Sequence, residues 1–251
     1  MPSSVIKSEG WEAVNGFNTV GGGINGIDGW VEGNGVYTIE NTNVNSGIQA
    51  VQVTISTLNP NMMNAVWNTN DTNNGVIQVK AAFKFPTPSA QYRWGVLGRM
   101  TNITNTAGNG TWYQADIEVT GSTTPGVFLQ KRFNGTYTPL STSVSGINIA
   151  PATWYYLQLI CNGTALAVNV QRPSDAKWLD STGNWQTTQQ NCITASDSSI
   201  GGAGKSGIRA TITGTGDIGF TDDWLLEALS VPSPLTPMFG PARTQTIVLG
   251  Y

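Results

Sequence analysis

The sequence predicts an all-β protein built as a two-sheet antiparallel β-sandwich. Its runs of apolar and polar residues alternate, the period of a strand with one face in a core. Asn-Gly and Gly-Gly pairs punctuate these runs, and such residues accept the positive φ of tight hairpin turns. No stretch keeps a helical period over convincing length; the best candidate, Asp222 to Leu229, is short and suits a strand equally well.

In chain order the predicted strands are Val36–Glu40, Ile48–Ser56, Gly75–Phe85, Tyr92–Met100 and Trp112–Val119. They continue with Gly126–Phe133, Thr153–Cys161, Ala165–Gln171, Gly207–Thr213 and Trp224–Val231. Turn signals separate them at Asn73-Asn74-Gly75, Asn109-Gly110, Asn134-Gly135, Asn162-Gly163 and Gly201-Gly202. The clearest hairpin joins Leu157–Cys161 to Thr164–Val170 through Asn162-Gly163. Ten or more strands exceed the seven to nine of an immunoglobulin sandwich, so residues 1–230 are predicted to form one jelly-roll domain. Beyond it, Val231–Met238 is proline-rich and extended, and Arg243–Tyr251 has strong β-propensity. Residues 231–251 are therefore expected to be a tail or an arm. Its Ile247, Val248, Leu249 and Tyr251 would fold back on their own sandwich or add to the edge of a neighbouring subunit.

Composition excludes several functions. The 251 residues carry a net charge of -3, which argues against a protein that tracks nucleic-acid phosphates. There is no His, which removes Ser-His-Asp and Cys-His catalysis and His-based zinc sites. No run approaches the ~20 apolar residues of a membrane-spanning helix. Two cysteines cannot make a disulfide framework. Cys161 falls on the inward side of its strand, as a buried thiol or as half of a Cys161–Cys192 bridge. Charged residues make up 11% of the chain, against about 25% in an average soluble protein, while Asn, Thr, Ser and nine Trp are abundant. That composition suits work outside cells, yet Met1–Gly10 lacks the apolar core of a signal peptide. Either a leader has been removed, or the chain leaves the cell at lysis as virion proteins do. The initiating Met favours the second.

Three stretches taken in order suggest a family. Trp94-Gly95-Val96-Leu97-Gly98-Arg99 precedes Trp112-Tyr113-Gln114-Ala115-Asp116-Ile117. Trp154–Leu159 leads into Asn162-Gly163-Thr164. Gly207-Ile208-Arg209 is followed by Asp217–Trp224. The order resembles the concanavalin A-like, laminin-G-like jelly rolls found in lectins, carbohydrate-binding modules, glucanases and phage surface proteins. The resemblance spans roughly residues 10 to 230 and implies fold more strongly than activity.

The strand Trp112–Val119 tests for chemistry. Parity predicts that Tyr113, Ala115, Ile117 and Val119 face the core and that Trp112, Gln114, Asp116 and Glu118 face the other way. Retaining hydrolases of the resembled family carry Glu-x-Asp-x-Glu on such a strand, whereas this chain has Gln114-x-Asp116-x-Glu118. An amide cannot form the glycosyl ester, so no catalytic residue is expected. Asp116 and Glu118, ~7 Å apart on one strand face, fall within the spacing of an inverting pair, but no second acidic cluster supports that chemistry. Glu118 is also a candidate for a cross-strand ion pair with Arg132.

The same parity adds Arg99, Gln130, Arg132 and Asn169 to a polar face that would bind glycans if these strands are neighbours. Rings stack on sugar C–H groups, and planar amides pair with hydroxyls. A solvated outer sheet, or a face buried against a partner, is the alternative. Trp178 and Trp185 lie in a turn-rich segment and are candidate loop contacts to a glycan. Asp217, Asp222 and Asp223 form the densest acidic group; they would serve calcium, which the resemblance favours, or a set of Asx turns.

Two functions follow. One is a non-enzymatic structural or adhesion protein on a virion surface, partnered by copies of itself or by other virion proteins and touching glycans. The other is a secreted carbohydrate-binding module or a protein resembling a glycoside hydrolase.

Overall fold

Alternation along the chain is realised as two antiparallel sheets packed face to face. The computed structural model describes residues 3–11, 22–24, 26–32, 36–54, 63–71, 73–85, 92–101, 110–119, 125–212 and 218–230. The first strands are β1 (Ser3–Glu9), β2 (Trp30–Glu32), β3 (Val36–Glu40), β4 (Ala50–Thr54), β5 (Met63–Trp67) and β6 (Ile77–Lys84). Next come β7 (Tyr92–Thr101), β8 (Thr111–Val119), β9 (Gly126–Phe133), β10 (Thr136–Pro139), β11 (Val144–Ser145) and β12 (Trp154–Asn162). The last are β13 (Ala165–Arg172), β14 (Lys177–Leu179), β15 (Trp185–Gln186), β16 (Ile193–Ser196), β17 (Lys205–Ile212) and β18 (Ile218–Leu229).

A ten-stranded sheet runs β15-β14-β13-β12-β6-β18-β4-β3, with β1 added to β18 and β16 to β13. An eight-stranded sheet runs β10-β9-β8-β7-β17-β5-β2, with β11 added to β9. Strands far apart in sequence are thus neighbours, as in a jelly roll. All ten predicted strands are present. The candidate helix Asp222 to Leu229 is the last two thirds of β18, because its apolar residues alternate and its partners β1 and β6 supply a ladder on each side.

The inner faces interlock as parity predicts. Val79, Ala81 and Phe83 of β6 and Leu157, Leu159 and Cys161 of β12 meet Trp94 and Val96 of β7 and Tyr113, Ala115 and Ile117 of β8, all in one buried cluster. Each such aliphatic or aromatic side chain contributes about 1.5–3 kcal/mol on leaving water. Trp30 lies 4.9 Å from both Trp11 and Trp224 between ring centroids, so three indoles fill one end of the sandwich. Both cysteines are free and buried, and no bridge joins them.

Local chemistry sets the corners. Asn134 and Gly135 both adopt positive φ (47° and 86°) in the β9–β10 turn, the geometry an Asn-Gly hairpin requires. The β12–β13 hairpin forms one residue later than predicted. Asn162 pairs with Ala165, leaving Gly163, at φ 60°, and Thr164 as the two loop residues. The tail residues 231–251, with Ile247, Val248, Leu249 and Tyr251, lie outside the described residues, as does Asp217.

Truncating Trp30 to Ala would leave a cavity between two other indoles. We expect the variant to lose about 3–5 kcal/mol of stability in urea unfolding; a loss under 1 kcal/mol would contradict the packing described.

Candidate functional site

Parity places Trp112, Gln114, Asp116 and Glu118 on the outer face of the eight-stranded sheet, as expected. That face is not a solvated one, however. Gln114 and Asp116 have no exposure to solvent, and Trp112 retains 3%. The cause is the neighbouring strands. Register sets Arg132, Gln130 and Phe128 of β9 opposite Trp112, Gln114 and Asp116. On the other flank it sets Leu97, Gly95 and Arg93 of β7 opposite Gln114, Asp116 and Glu118. One strand further, Arg209 of β17 lies opposite Gly95.

A directed chain of hydrogen bonds runs along this floor. Trp112 Nε1 donates to Gln114 Oε1 at 2.8 Å, and Gln114 Nε2 donates to Asp116 Oδ2 at 2.6 Å. Arg209 donates to both Asp116 oxygens, at 3.2 Å each, and to Thr211 Oγ1 at 3.0 Å. This ion pair passes over the intervening strand, and only Gly95 permits that. A Cβ at position 95 would sit 2.2 Å from Asp116 Oδ1, 2.7 Å from the Ala115 carbonyl oxygen and 3.1 Å from Arg209 Cγ.

Above the floor lies a layer of rings and cations. The Arg132 guanidinium is 5.0 Å from the centre of the Trp112 ring and 4.8 Å from that of Tyr137. Arg93 stacks 4.5 Å from Phe128 and pairs with Glu118 at 3.1 Å. The ion pair expected between Glu118 and Arg132 is therefore replaced by one with Arg93, because register puts Arg132 at the Trp112 end of the strand. Solvent reaches the β8–β10 side: Tyr137 is 38% exposed, and Phe128, Gln130, Arg93 and Glu118 are half-buried. Burial raises the Tyr137 hydroxyl above its ordinary pKa, so it stays protonated.

Sequence reasoning did not single out Arg93, Arg209 and Tyr137 for this face. Arg93 shares the parity of Leu97, which was a usable signal. Arg209 and Tyr137 needed the strand order.

Other expected members do not join. Arg99 sits at a bulge between Gly98 and Thr101, with φ 52°. The extra residue swings its side chain off the polar face, and Met100 packs there instead with Val66, Leu97 and Trp112. Arg99 instead donates to the carbonyls of Gly75 and Ile200, at 2.7 and 3.0 Å. Asn169 belongs to the ten-stranded sheet, where it meets Gln158 at 3.0 Å. Trp178 is on that sheet too, opposite Gln171. Trp185 packs inward, 5.7 Å from Tyr155, beneath the Arg172 guanidinium.

Asp222 and Asp223 anchor a loop. Asp222 accepts from the backbone amides of Asn45 and Ser46 at 2.9 and 3.1 Å, and from that of Asp223 at 2.8 Å. Asp223 accepts from Asn45 Nδ2 at 2.6 Å, from Tyr156 at 2.8 Å and from the Ser46 hydroxyl. All four carboxylate oxygens thus face donors, which does not fit a calcium ion. Among the described residues no group of three His, Cys, Asp or Glu could hold a metal. Burial, and then the charge of Asp223, push the Asp222 carboxyl up to about 7.

The solved structures confirm the architecture. The chain is similar to a legume lectin-like domain from Entamoeba histolytica, with 12% identity, a TM-score of 0.52 and coverage of 80% of this chain and 91% of that one. It is also similar to the exoplasmic/lumenal domain of VIP36 in a Ca2+/Man2-bound form, with 13% identity, a TM-score of 0.52 and coverage of 83% and 84%. The fold is that of a concanavalin A-like jelly roll. No protein-family model matches the chain, and no curated protein matches it.

Gly95→Ala would force the Asp116–Arg209 pair apart while both remain buried. The expected loss is about 3–5 kcal/mol in denaturant unfolding; near-wild-type stability would show that the pair does not depend on the gap. A second expectation concerns pH. Because the folded Asp222 holds its proton more tightly than the unfolded chain does, its contribution to stability falls as pH rises from about 4 to 7. Carbon-13 NMR should find the Asp222 carboxyl titrating near 7, and lower in Asp223→Asn; a wild-type midpoint near 4 would contradict the geometry.

Proposed function

We propose that this chain is a non-catalytic carbohydrate-binding protein that holds a glycan along the β8–β10 side of the eight-stranded sheet. The observation that carries the reading is the layered build of that face. Tyr137, Phe128, Gln130, Arg93 and Glu118 are reachable at its surface, and the groups beneath them are held in place. Flat rings offer stacking surfaces to sugar C–H groups, and the amide and charged groups offer directional partners to hydroxyls.

Three features support the absence of hydrolysis. Gln114 stands where a retaining hydrolase needs a carboxylate nucleophile. Asp116 is fully buried and held by Arg209 and Gln114, so it has no path to a glycosidic oxygen. Glu118 is engaged by Arg93 at 3.1 Å, so its carboxylate is already paired within the protein. The likeness to lectin-like domains supports the fold on which such a site sits. The sparse charge of the chain agrees with a setting outside cells. Placement on a virus particle is not needed by the glycan-binding reading.

A glycan array probed with the whole chain, followed by calorimetry on any glycan retained, tests this reading. Tyr137→Ala should weaken binding about 3- to 10-fold, the worth of one aromatic contact. Trp112, sealed beneath Arg132, should act on stability rather than on affinity. Binding to no glycan, or release of reducing ends from a bound one, would overturn the proposal.

A further inference from the structure

A groove of about 370 Å³ opens beside β11 and β16, and none of the residues of the polar face lines it. One wall is Ser141, Thr142 and Ser143, which lead into β11 of the eight-stranded sheet; the other is Asn191 and Thr194, around β16 of the ten-stranded sheet, with Ser181 between them. The floor is apolar: Val144, Cys192 and Ile193 keep 6%, 2% and 4% of their surface.

We propose that this groove is a second ligand site, for a neutral sugar or polyol, beyond the face described above. Its volume falls within the range of small-molecule sites, roughly 300–1,000 Å³. No Asp, Glu, Lys or Arg is among the described residues that line it, so nothing there rewards a charged ligand. The side-chain hydroxyls of Ser141, Thr142, Ser143, Ser181 and Thr194 make no hydrogen bond with other described residues. Each is a donor and an acceptor that rotates to suit its partner, which matches the mixed hydroxyls of a sugar. The apolar floor matches the C–H face of a pyranose ring.

The walls are held before any ligand arrives. Asp180 accepts from the amides of Thr182 and Asn184 at 2.8 and 2.9 Å, from the Thr182 hydroxyl at 2.7 Å and from Gln186 at 2.8 Å. These bonds hold its carboxyl well below the usual carboxylate range and fix the turn that carries Ser181. Gly183 closes the turn at φ 88°, where a Cβ would lie 3.4 Å from both Ile147 and the Ser145 carbonyl. Cys192 is floor rather than nucleophile. Burial pushes its thiol up to about 12, and its sulfur lies 3.2 Å from the Val168 carbonyl oxygen, to which the S–H donates.

The experiment is an amide NMR titration of the whole chain with maltohexaose, cellohexaose and xylohexaose, and with tetragalacturonate as a charged comparison. A neutral oligosaccharide should shift residues 141–144 and 191–194. Thr142→Trp and Thr194→Trp, exposed positions on opposite walls, should each weaken that binding about tenfold or more while leaving the thermal midpoint unchanged. Tyr137→Ala should leave it within about twofold, which separates this site from the polar face. The proposal fails if no neutral oligosaccharide shifts these residues at millimolar concentration. It also fails if both tryptophan variants bind as the wild type does, or if tetragalacturonate binds as well as the neutral chains.

Discussion

The polar face depends on one ion pair that reaches across a strand. Asp116 on β8 and Arg209 on β17 are separated by β7, and the side chain that would stand between them is missing because residue 95 is glycine. Both groups are buried, and a buried charge is tolerated only when it is paired and its remaining hydrogen-bonding capacity is used. Gln114 and Thr211 use part of that capacity, while Arg209 Nε stays buried with no hydrogen bond among the described residues. The consecutive strands β7 and β8 are thereby tied to β17, far along the chain, and the layer of Arg132, Tyr137, Arg93 and Phe128 is laid on that hydrogen-bonded floor.

Much of the fold was legible in the sequence because it rests on a strictly local rule. A side-chain period of two shows each strand and its core face without any knowledge of neighbours. The positions of Tyr113, Ala115, Ile117, Leu157, Leu159 and Cys161 follow from it directly. The site was legible only within strands. Trp112, Gln114, Asp116, Glu118, Gln130 and Arg132 share a face because β8 and β9 are consecutive and paired. Arg209 needed the non-consecutive order β8-β7-β17, which no local pattern encodes. Arg99 failed for a different reason: a bulge inserts one residue and inverts parity beyond it. Asn169 and Trp178 have suitable chemistry but belong to the other sheet.

The two sheets divide the work. The ten-stranded sheet uses its outer acids for internal fastening: Asp222 and Asp223 tie the Asn45–Ser46 loop to Tyr156. The eight-stranded sheet keeps rings, amides and cations near the surface. The amide at position 114 joins two neighbours on the floor of the polar face. The amide both accepts from Trp112 and donates to Asp116, which a carboxylate, lacking a donor, would not do. Gln114 therefore completes the floor beneath the proposed glycan face.

A double-mutant cycle on Asp116→Asn and Arg209→Met, read by denaturant unfolding, tests this most directly. A coupling energy of about 2–3 kcal/mol is predicted, with each single variant more damaging than its share of the double. Additive single effects would show that the two residues act independently and that the polar face is not organised around their pairing.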